Sequence, residues 1–105
     1  MKILIIDDER AIRNSLSEIL SDEGYNVEVA EDGPTAIEMA EKERYDVIFC
    51  DIKMPEMDGI ETLKKIKEEQ LAVGTVFVAL TANAIHGAKQ TYLDAGFDDY
   101  LSKPF

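Results

Sequence analysis

Three short apolar runs, at residues 3–6, 47–50 and 76–80, constrain the fold of this chain more than any other feature. They are rich in β-branched residues, and no polar position interrupts them. Such runs are typical of parallel strands that are buried on both faces of a sheet. We therefore predict that these three strands lie at the centre of a sheet.

Two further strands and four helices are predicted from weaker patterns. Apolar and polar residues alternate at 27–30, and residues 99–101 are half polar, so these two strands should lie nearer the sheet edges. Between the strands, apolar residues recur at helical spacing, with Pro34 in a first helical turn and Asp58 as an N-cap. Strict alternation of strand and helix predicts an α/β fold with a doubly wound, five-stranded parallel sheet.

The length of 105 residues and the hydrophobic content of 46% fit one packed domain over residues 1–105, because domains cluster near about 100 to 150 residues. No run approaches the roughly 18 apolar residues of a membrane helix, so we expect a soluble protein with no membrane segment. Cys50 is the single cysteine and has no partners at metal-binding spacing. We expect it to be a core residue in a reducing, cytoplasmic compartment.

The formal net charge of -11 limits the classes of molecule that this domain is expected to bind. An excess of 22 acidic over 11 basic residues repels a phosphate backbone, which argues against direct binding of nucleic acid. General solubility accounts for most of this charge. Beyond that, a divalent cation or a basic protein surface is the favoured partner.

Polar residues directly follow four of the predicted strands. In doubly wound sheets, ligands bind beyond the carboxyl ends of the strands. The residues at those ends are Asp7, Asp8, Asp51, Thr81 and Lys103. Each has an ordinary explanation, since carboxylates and threonine cap helices or start turns and lysine is usually solvated. Those explanations do not predict that all five converge at one edge of one sheet.

Three converging carboxylates would raise one another's pKa unless a cation neutralised them. Ligation by oxygen alone, with no histidine or cysteine nearby, suits a hard ion such as Mg²⁺, which keeps positions open for water and phosphate. One carboxylate is then free to attack phosphorus and form an aspartyl phosphate. Thr81 could donate a hydrogen bond to the new phosphoryl group, and Lys103 could offset its charge.

The stretch FCDIKMPEMDG, residues 49–59, predicts a stiffened loop after Asp51. Pro55 restricts the backbone of this loop, Asp58 can cap the next helix, and Gly59 relieves crowding at the helix start. A carboxylate on such a support is held in place for chemistry.

Four motifs, taken together, closely resemble the receiver domain of two-component response regulators and hybrid histidine kinases. The motifs are DDE at 7–9, DIKMPEMDG at 51–59, LTANA at 80–84 and YLSKPF at 100–105. The resemblance implies a flavodoxin-like fold with strand order 2-1-3-4-5. It also implies a signalling switch rather than an enzyme, with only self-phosphorylation and slow autodephosphorylation at Asp51. The phosphoryl group would come from a histidine kinase or phosphotransfer protein, and an output domain or partner protein would read the change.

The resemblance also assigns roles to single residues. Mg²⁺ would be held by Asp7, Asp8, Asp51 and the backbone carbonyl of Lys53. Lys103 would pair with the phosphoryl group, and the bond between Lys103 and Pro104 would be cis, which is accessible before proline.

Further roles implied by the resemblance concern switching. Thr81 would be the switch hydroxyl and Tyr100 the switch aromatic ring, while Lys53 and Asn83 would adjust how long the phosphoryl group survives. We expect phosphorylation to move Thr81 and Tyr100, which would change the surface around the fourth helix and the fifth strand.

One departure from the family pattern concerns the end of the sequence. Receivers normally continue past the lysine-proline pair into a fifth helix, whereas this sequence ends at Phe105, so we expect the C-terminal helix to be absent. Right-handed crossovers put the first helix on one face of the sheet and the next three on the other. Part of the first helix's face would then lie open, so we expect a homo-oligomer, a swapped dimer or reduced stability.

A second departure is a change of character near Gln70. The part before it resembles receivers that are attached to transcriptional effectors, and the segment 80–105 resembles receivers of hybrid kinases. Truncation from a larger protein would account for the first departure, and a recombined or engineered sequence would account for the second.

Three alternative functions stay open. Phosphatases of the haloacid dehalogenase type also form an aspartyl phosphate, but they carry a second aspartate two positions after the nucleophile, where this chain has Lys53. Flavin-binding proteins of the same architecture bind phosphate with the backbone amides of a first loop rich in Ser, Thr or Gly. This chain has DDER at 7–10 in that place. A phosphorylation-inactive interaction module is the third, although every reactive position is occupied.

Overall fold

Strands and helices alternate along the chain in the computed structural model, which describes residues 1–54, 57–69, 74–81 and 88–103. The elements are β1 (Lys2–Ile6), α1 (Arg10–Asp22), β2 (Asn26–Ala30), α2 (Gly33–Lys42), β3 (Val47–Asp51), α3 (Gly59–Glu68), β4 (Val76–Thr81), α4 (Ala88–Ala95) and β5 (Asp99–Ser102). The predicted alternation of five strands with four helices is confirmed, and β5 is the last element of the described residues.

All five strands are parallel and form one sheet in the order β2-β1-β3-β4-β5. The three strands predicted to be central, β1, β3 and β4, occupy its middle. Leu4, Ile48 and Ala79 on these strands are fully or almost fully buried, as their uninterrupted apolar sequence requires. The doubly wound, flavodoxin-like fold and its strand order are therefore confirmed.

Different helices pack on the two faces of the sheet. On one face, side chains of α2, α3 and α4 pack on the strands, among them Ile37, Leu63 and Tyr92. On the other face, Leu16 of α1 packs against strand residues such as Ile5. This separation of α1 from the other three helices is the one that right-handed crossovers predict.

The face that carries α1 is open at its β4 and β5 side. Val76 is 44% exposed and Leu101 is 36% exposed, whereas Phe49 and its register partner Val78 are half-buried. These side chains lie on the α1 face because alternate residues of a strand share a face and register partners point the same way. The exposure agrees with the expectation that part of this face is uncovered.

Short-range sequence signals account for the starts of two helices. Asp58 accepts a hydrogen bond of 2.8 Å from the backbone N–H of Glu61, so it caps α3 as predicted, and Asp32 caps α2 in the same way. Pro34 lies in the first turn of α2, also as predicted. The N-cap residue of α1 is Glu9, whose side chain makes no capping hydrogen bond. Neither carboxylate of the preceding pair is therefore the N-cap of α1.

Two further expectations concern the core and the membrane. Cys50 is a free, buried thiol inside the core, as predicted. The longest described helix is α1 with 13 residues. Within the described ranges, no helix combines the length and the hydrophobicity needed to cross a bilayer.

Candidate functional site

The predicted site residues meet at the carboxyl end of the sheet because the strands are parallel and in register. Asp7 follows β1, Asp51 is the last residue of β3, and Thr81 is the last residue of β4. Lys103 directly follows β5, and its backbone N–H donates to the carbonyl of Thr81 at 2.8 Å. Residues from four strands that are far apart in the sequence therefore line one edge, as the strand-end argument predicted.

An ion cluster centred on Lys103 occupies this edge. The Nζ atom of Lys103 lies 2.8 Å from Oδ2 of Asp7, 3.2 Å from Oδ1 of Asp51 and 3.4 Å from Oε1 of Glu9. The side chain of Lys103 is 9% exposed, that of Asp51 6%, and that of Asp7 is fully buried. Buried ion pairs with this geometry are held by mutual attraction against a high cost of desolvation.

Three carboxylates of the site are close enough to share one cation. Oxygen atoms of Asp7, Asp8 and Asp51 all lie within 4.8 Å of one another, with Asp8 on the exposed side. Oδ2 of Asp7 is buried, and its partner among the described residues is the ammonium of Lys103 at 2.8 Å. A set of hard oxygen donors at this spacing fits Mg²⁺.

Burial and neighbouring charge alter the protonation of this cluster. Burial, followed by the charge of Asp7, raises the pKa of Asp51 to about 7, although Lys103 acts in the opposite direction. Burial likewise raises the pKa of Asp7 against the lowering effect of Lys103. For Lys103 itself, burial lowers the pKa, but the hydrogen bond to Asp7 and the charge of Asp51 raise it on balance. The site therefore holds more negative charge than its lysine neutralises.

The backbone around Asp51 leaves no room for a larger residue at the start of α3. A Cβ atom added at Gly59 would lie 2.1 Å from the carbonyl oxygen of Asp51, and the N–H of Gly59 donates to the carbonyl of Ile52 at 3.0 Å. The N–H of Ile52 in turn donates to the carbonyl of Leu80 at 3.1 Å. The predicted relief of crowding by Gly59 is confirmed, and the carboxylate stands on a closely packed support.

Thr81 and Tyr100 lie next to this cluster. Thr81 is 4% exposed, and its hydroxyl lies 3.1 Å from the hydroxyl of Tyr92 on α4. Tyr100 is half-buried on β5 and packs at the margin of the core, with its ring centroid 6.5 Å from that of Tyr92. The two predicted switch residues thus meet the same side chain of α4.

The remaining predicted residues are Lys53, Asn83, Pro104 and Pro55. Lys53 lies in the loop after β3 with an exposed side chain. Asn83, Pro104 and Pro55 lie outside the described residues, so the predictions of a lifetime-tuning residue, a cis bond and a restricted loop stay predictions.

Sequence reasoning missed three contacts of the site. Glu9 reaches Lys103, and the guanidinium of Arg13 donates to the backbone carbonyl of Asp7 at 2.8 Å. Tyr92 bonds to Thr81. Glu9 stands next to the recognised aspartate pair and Arg13 is one helical turn further on, so an inspection of the first turn of α1 would have found both.

Comparison with known proteins identifies the family. A family model described as the response regulator receiver domain matches residues 3–105, and the chain belongs to this family. Response regulator MprA of Mycobacterium leprae is 42% identical over 107 residues, which cover 100% of this chain and 45% of that protein. The chain thus spans less than half the length of the curated relatives it matches first.

Solved structures share the fold over nearly the whole chain. Chemotaxis response regulator CheY4 of Vibrio cholerae superposes with a TM-score of 0.92 at 38% identity, covering 99% of this chain and 87% of that chain. The receiver domain of sensor histidine kinase PA1611 from Pseudomonas aeruginosa PAO1 gives a TM-score of 0.88 at 36% identity, with 99% and 85% covered. The PA1611 structure has a magnesium ion coordinated in its active site cleft. The resemblance seen in the four motifs is confirmed.

Proposed function

We propose that this receiver domain is a signalling switch that accepts a phosphoryl group on Asp51. The observation that carries the proposal is the position of this carboxylate, at the end of a central strand, beside Asp7 and Asp8 and 3.2 Å from the ammonium of Lys103. A carboxylate with a raised pKa in a cleft of charged groups is a common feature of reactive sites.

The residues that would hold Mg²⁺ are Asp7, Asp8 and Asp51, together with the backbone carbonyl of Lys53 that the family resemblance implies. When bound, the ion would neutralise excess carboxylate charge and draw phosphate oxygens toward the site. Support comes from the donor set, which consists of oxygen atoms alone.

The reaction proposed for the chain is a direct transfer. An oxygen of Asp51 forms a bond to phosphorus of the donor, and the bond from phosphorus to the leaving group breaks, so the leaving group departs with the electron pair. Lys103 stays paired with the charge that this adds, since its ammonium already contacts Asp51 and Asp7. The hydroxyl of Thr81 donates a hydrogen bond to a phosphoryl oxygen. Tyr100 then changes its packing against α4, and Lys53 and Asn83 adjust the lifetime of the adduct.

The partners follow from this chemistry. The donor is a histidine kinase or a phosphotransfer protein, and the reader is an output domain or partner protein that contacts α4 and β5. The net charge of -11 disfavours direct contact with nucleic acid. Turnover as a phosphatase is disfavoured because Lys53 stands where a general acid would be needed. The buried, unpaired Cys50 fits a cytoplasmic setting.

Acetyl phosphate tests the assignment directly. The protein is incubated with acetyl phosphate, with and without Mg²⁺, and intact mass is recorded for wild type, Asp51→Asn and the control Asp46→Asn at the opposite end of β3. We expect a metal-dependent phosphoryl adduct in wild type and in the control, and none in Asp51→Asn. An adduct that persists in Asp51→Asn would disprove the role of this residue.

We also propose that the chain self-associates or swaps an element through the open part of the α1 face. The exposed side chains of Val76 and Leu101 support this, because the faces of a parallel sheet are normally covered. Sedimentation velocity over a concentration series should show a dimer or larger species that Leu101→Lys weakens. A monomer at every concentration would rule the proposal out.

A further inference from the structure

Tyr92 connects the site to α4 through a residue that neither the motifs nor the strand-end argument singles out. Its hydroxyl oxygen lies 3.1 Å from the hydroxyl oxygen of Thr81, which is a hydrogen bond between two side chains 11 positions apart. Thr81 is almost fully buried, and Tyr92 is half-buried at the margin of the core. A hydrogen bond in such surroundings is shielded from competing water.

The ring of Tyr92 also contacts the ring of Tyr100, with centroids 6.5 Å apart and planes inclined by 48°. Both rings pack against the core on the face that α2, α3 and α4 share. Tilted aromatic pairs at this separation attract one another. The ring of Tyr92 therefore contacts β5 through Tyr100, in addition to its place on α4.

The hydroxyl of Thr81 has one proton to donate. A phosphoryl group on the neighbouring Asp51 would present three strong acceptor oxygens, which are better acceptors than a neutral phenol oxygen. Asp51 and Thr81 end adjacent strands, and Asp51 is in register with Leu80, the residue before Thr81. Either hydroxyl of the Thr81–Tyr92 pair can be the donor. With Thr81 as the donor, the phosphoryl oxygens and the Tyr92 hydroxyl would compete for the same proton.

We propose that Tyr92 is a positioning residue that holds the Thr81 side chain toward α4 in the unphosphorylated state, and that phosphorylation of Asp51 breaks this hydrogen bond. This inference rests on the proposed function. The bond stabilises only the unphosphorylated state, so it opposes switching until the phosphoryl group captures Thr81. Its loss frees the tyrosine hydroxyl and loosens the contact between α4 and β5.

Beryllofluoride, an analogue of a phosphoryl group on a carboxylate, provides the test. Its half-saturating concentration is measured by fluorine NMR at a fixed Mg²⁺ concentration for wild type and for Tyr92→Phe, which keeps the ring and removes the hydroxyl. Since a net hydrogen bond is worth about 0.5 to 1.5 kcal/mol, we expect Tyr92→Phe to bind about 2- to 10-fold more tightly. Tyr25→Phe, at an exposed tyrosine after α1, serves as the matched control and should bind like wild type.

A double-mutant cycle separates this role from a general effect on packing. In a Thr81→Ala background there is no hydroxyl to hold, so Tyr92→Phe should leave beryllofluoride binding unchanged there. Equal or weaker binding by Tyr92→Phe in the wild-type background would overturn the inference, as would the same gain in both backgrounds. Wild type that binds no beryllofluoride with Mg²⁺ would instead overturn the proposed function, and this inference with it.

Discussion

The sheet carries a lysine surrounded by carboxylates at each of its ends, and the two clusters differ in burial. At the amino end, Nζ of Lys2 contacts Glu43 and lies 3.2 Å from Glu28, while the hydroxyl of Tyr45 donates to Glu28 at 2.5 Å. The side chains of Glu28 and Glu43 are 34% and 44% exposed. Water therefore shares the solvation of these charges.

At the carboxyl end, two of the carboxylates that Lys103 contacts, those of Asp7 and Asp51, are almost completely enclosed, whereas the third, that of Glu9, is exposed. The consequences for protonation are opposite. The hydrogen bond from Tyr45 lowers the pKa of Glu28, whereas burial raises the pKa of Asp51 to about 7. The same residue types thus give a lowered carboxyl pKa where water reaches the cluster and a raised one where burial excludes water.

The largest effect that tests this contrast is expected for Lys103→Met, which keeps the aliphatic stem and removes the charge. Asp7 and Asp51 would then be buried without a cation, and removal of one partner from a buried ion pair costs about 3 to 5 kcal/mol. We expect a loss of that size in urea unfolding of the metal-free protein at pH 8. At pH 5 the loss should shrink, because Asp51 is then mostly protonated. Equal losses of unfolding free energy at pH 8 and pH 5 would contradict the explanation that the unpaired charge of Asp51 destabilises Lys103→Met.

A smaller effect of opposite sign is expected for Asp51→Asn. The substitution removes a carboxylate whose charge is disfavoured by burial and by Asp7. A gain of about 1 kcal/mol raises the Tm of a domain of this size by about 4 to 8 °C, and we expect such a rise without metal at pH 8. Glu28→Gln, at the amino end of the sheet, should lower the Tm instead. Calorimetry of Asp51→Asn and Glu28→Gln measures both changes in Tm. A lower Tm for Asp51→Asn would show that the charge of Asp51 does not destabilise the folded protein.

The pH dependence of stability should follow the same contrast. Because its folded-state pKa lies above 3.8, the contribution of Asp51 is full below about pH 4 and is lost as the pH rises through about 7. The lowered pKa values of Glu28, Asp32 and Asp46 act in reverse, since their contributions are lost as the pH falls below about 4. We therefore expect the Tm of the metal-free protein to be highest between about pH 4 and about pH 7.

A substitution at Asp51 and the addition of Mg²⁺ both test the expected dependence of the Tm on pH. The decline between about pH 4 and pH 7 should flatten in Asp51→Asn. Mg²⁺ should raise the Tm more at pH 8 than at pH 6, because protons compete with the metal for the carboxylate. Thermal unfolding with EDTA or with Mg²⁺ across this range measures both. If the Tm of Asp51→Asn falls with pH as that of wild type does, other titrating groups cause the fall.

A modest loss is expected for Tyr45→Phe at the amino end. The ring stays buried, and only the hydrogen bond to Glu28 is removed, which is worth about 0.5 to 1 kcal/mol. Urea unfolding should show this loss with little dependence on Mg²⁺. A metal-dependent effect would mean that the two ends of the sheet are coupled.

The smallest effect is expected for Lys2→Met, the counterpart of Lys103→Met. Exposed ion pairs contribute little to stability, so the free energy of unfolding should stay close to that of wild type. Phosphoryl uptake from acetyl phosphate should also be unchanged. A loss comparable to that of Lys103→Met would remove the distinction between the clusters.

Much of the site could be predicted because it depends on strand order and strand ends. Asp51 and Thr81 end apolar runs, and parallel strands bring such ends to one edge whatever the details of packing. Asp58 could be identified as an N-cap because capping is a contact within four residues. Tyr92 could not, since its bond to Thr81 depends on how α4 is rotated and seated against β4. That orientation is a property of the packed core rather than of local sequence.

The sequence by itself determined the order of the elements, the three central strands and the edge at which the acidic residues gather, because hydrophobic periodicity and chain direction are local properties. Only the tertiary structure decided that Lys103 is shared by Asp7, Asp51 and Glu9, and that the pKa of Asp51 rises to about 7. These outcomes depend on burial and on distances of a few ångströms between opposite ends of the chain. Packing sets both quantities, and the strength of electrostatic interactions depends steeply on them.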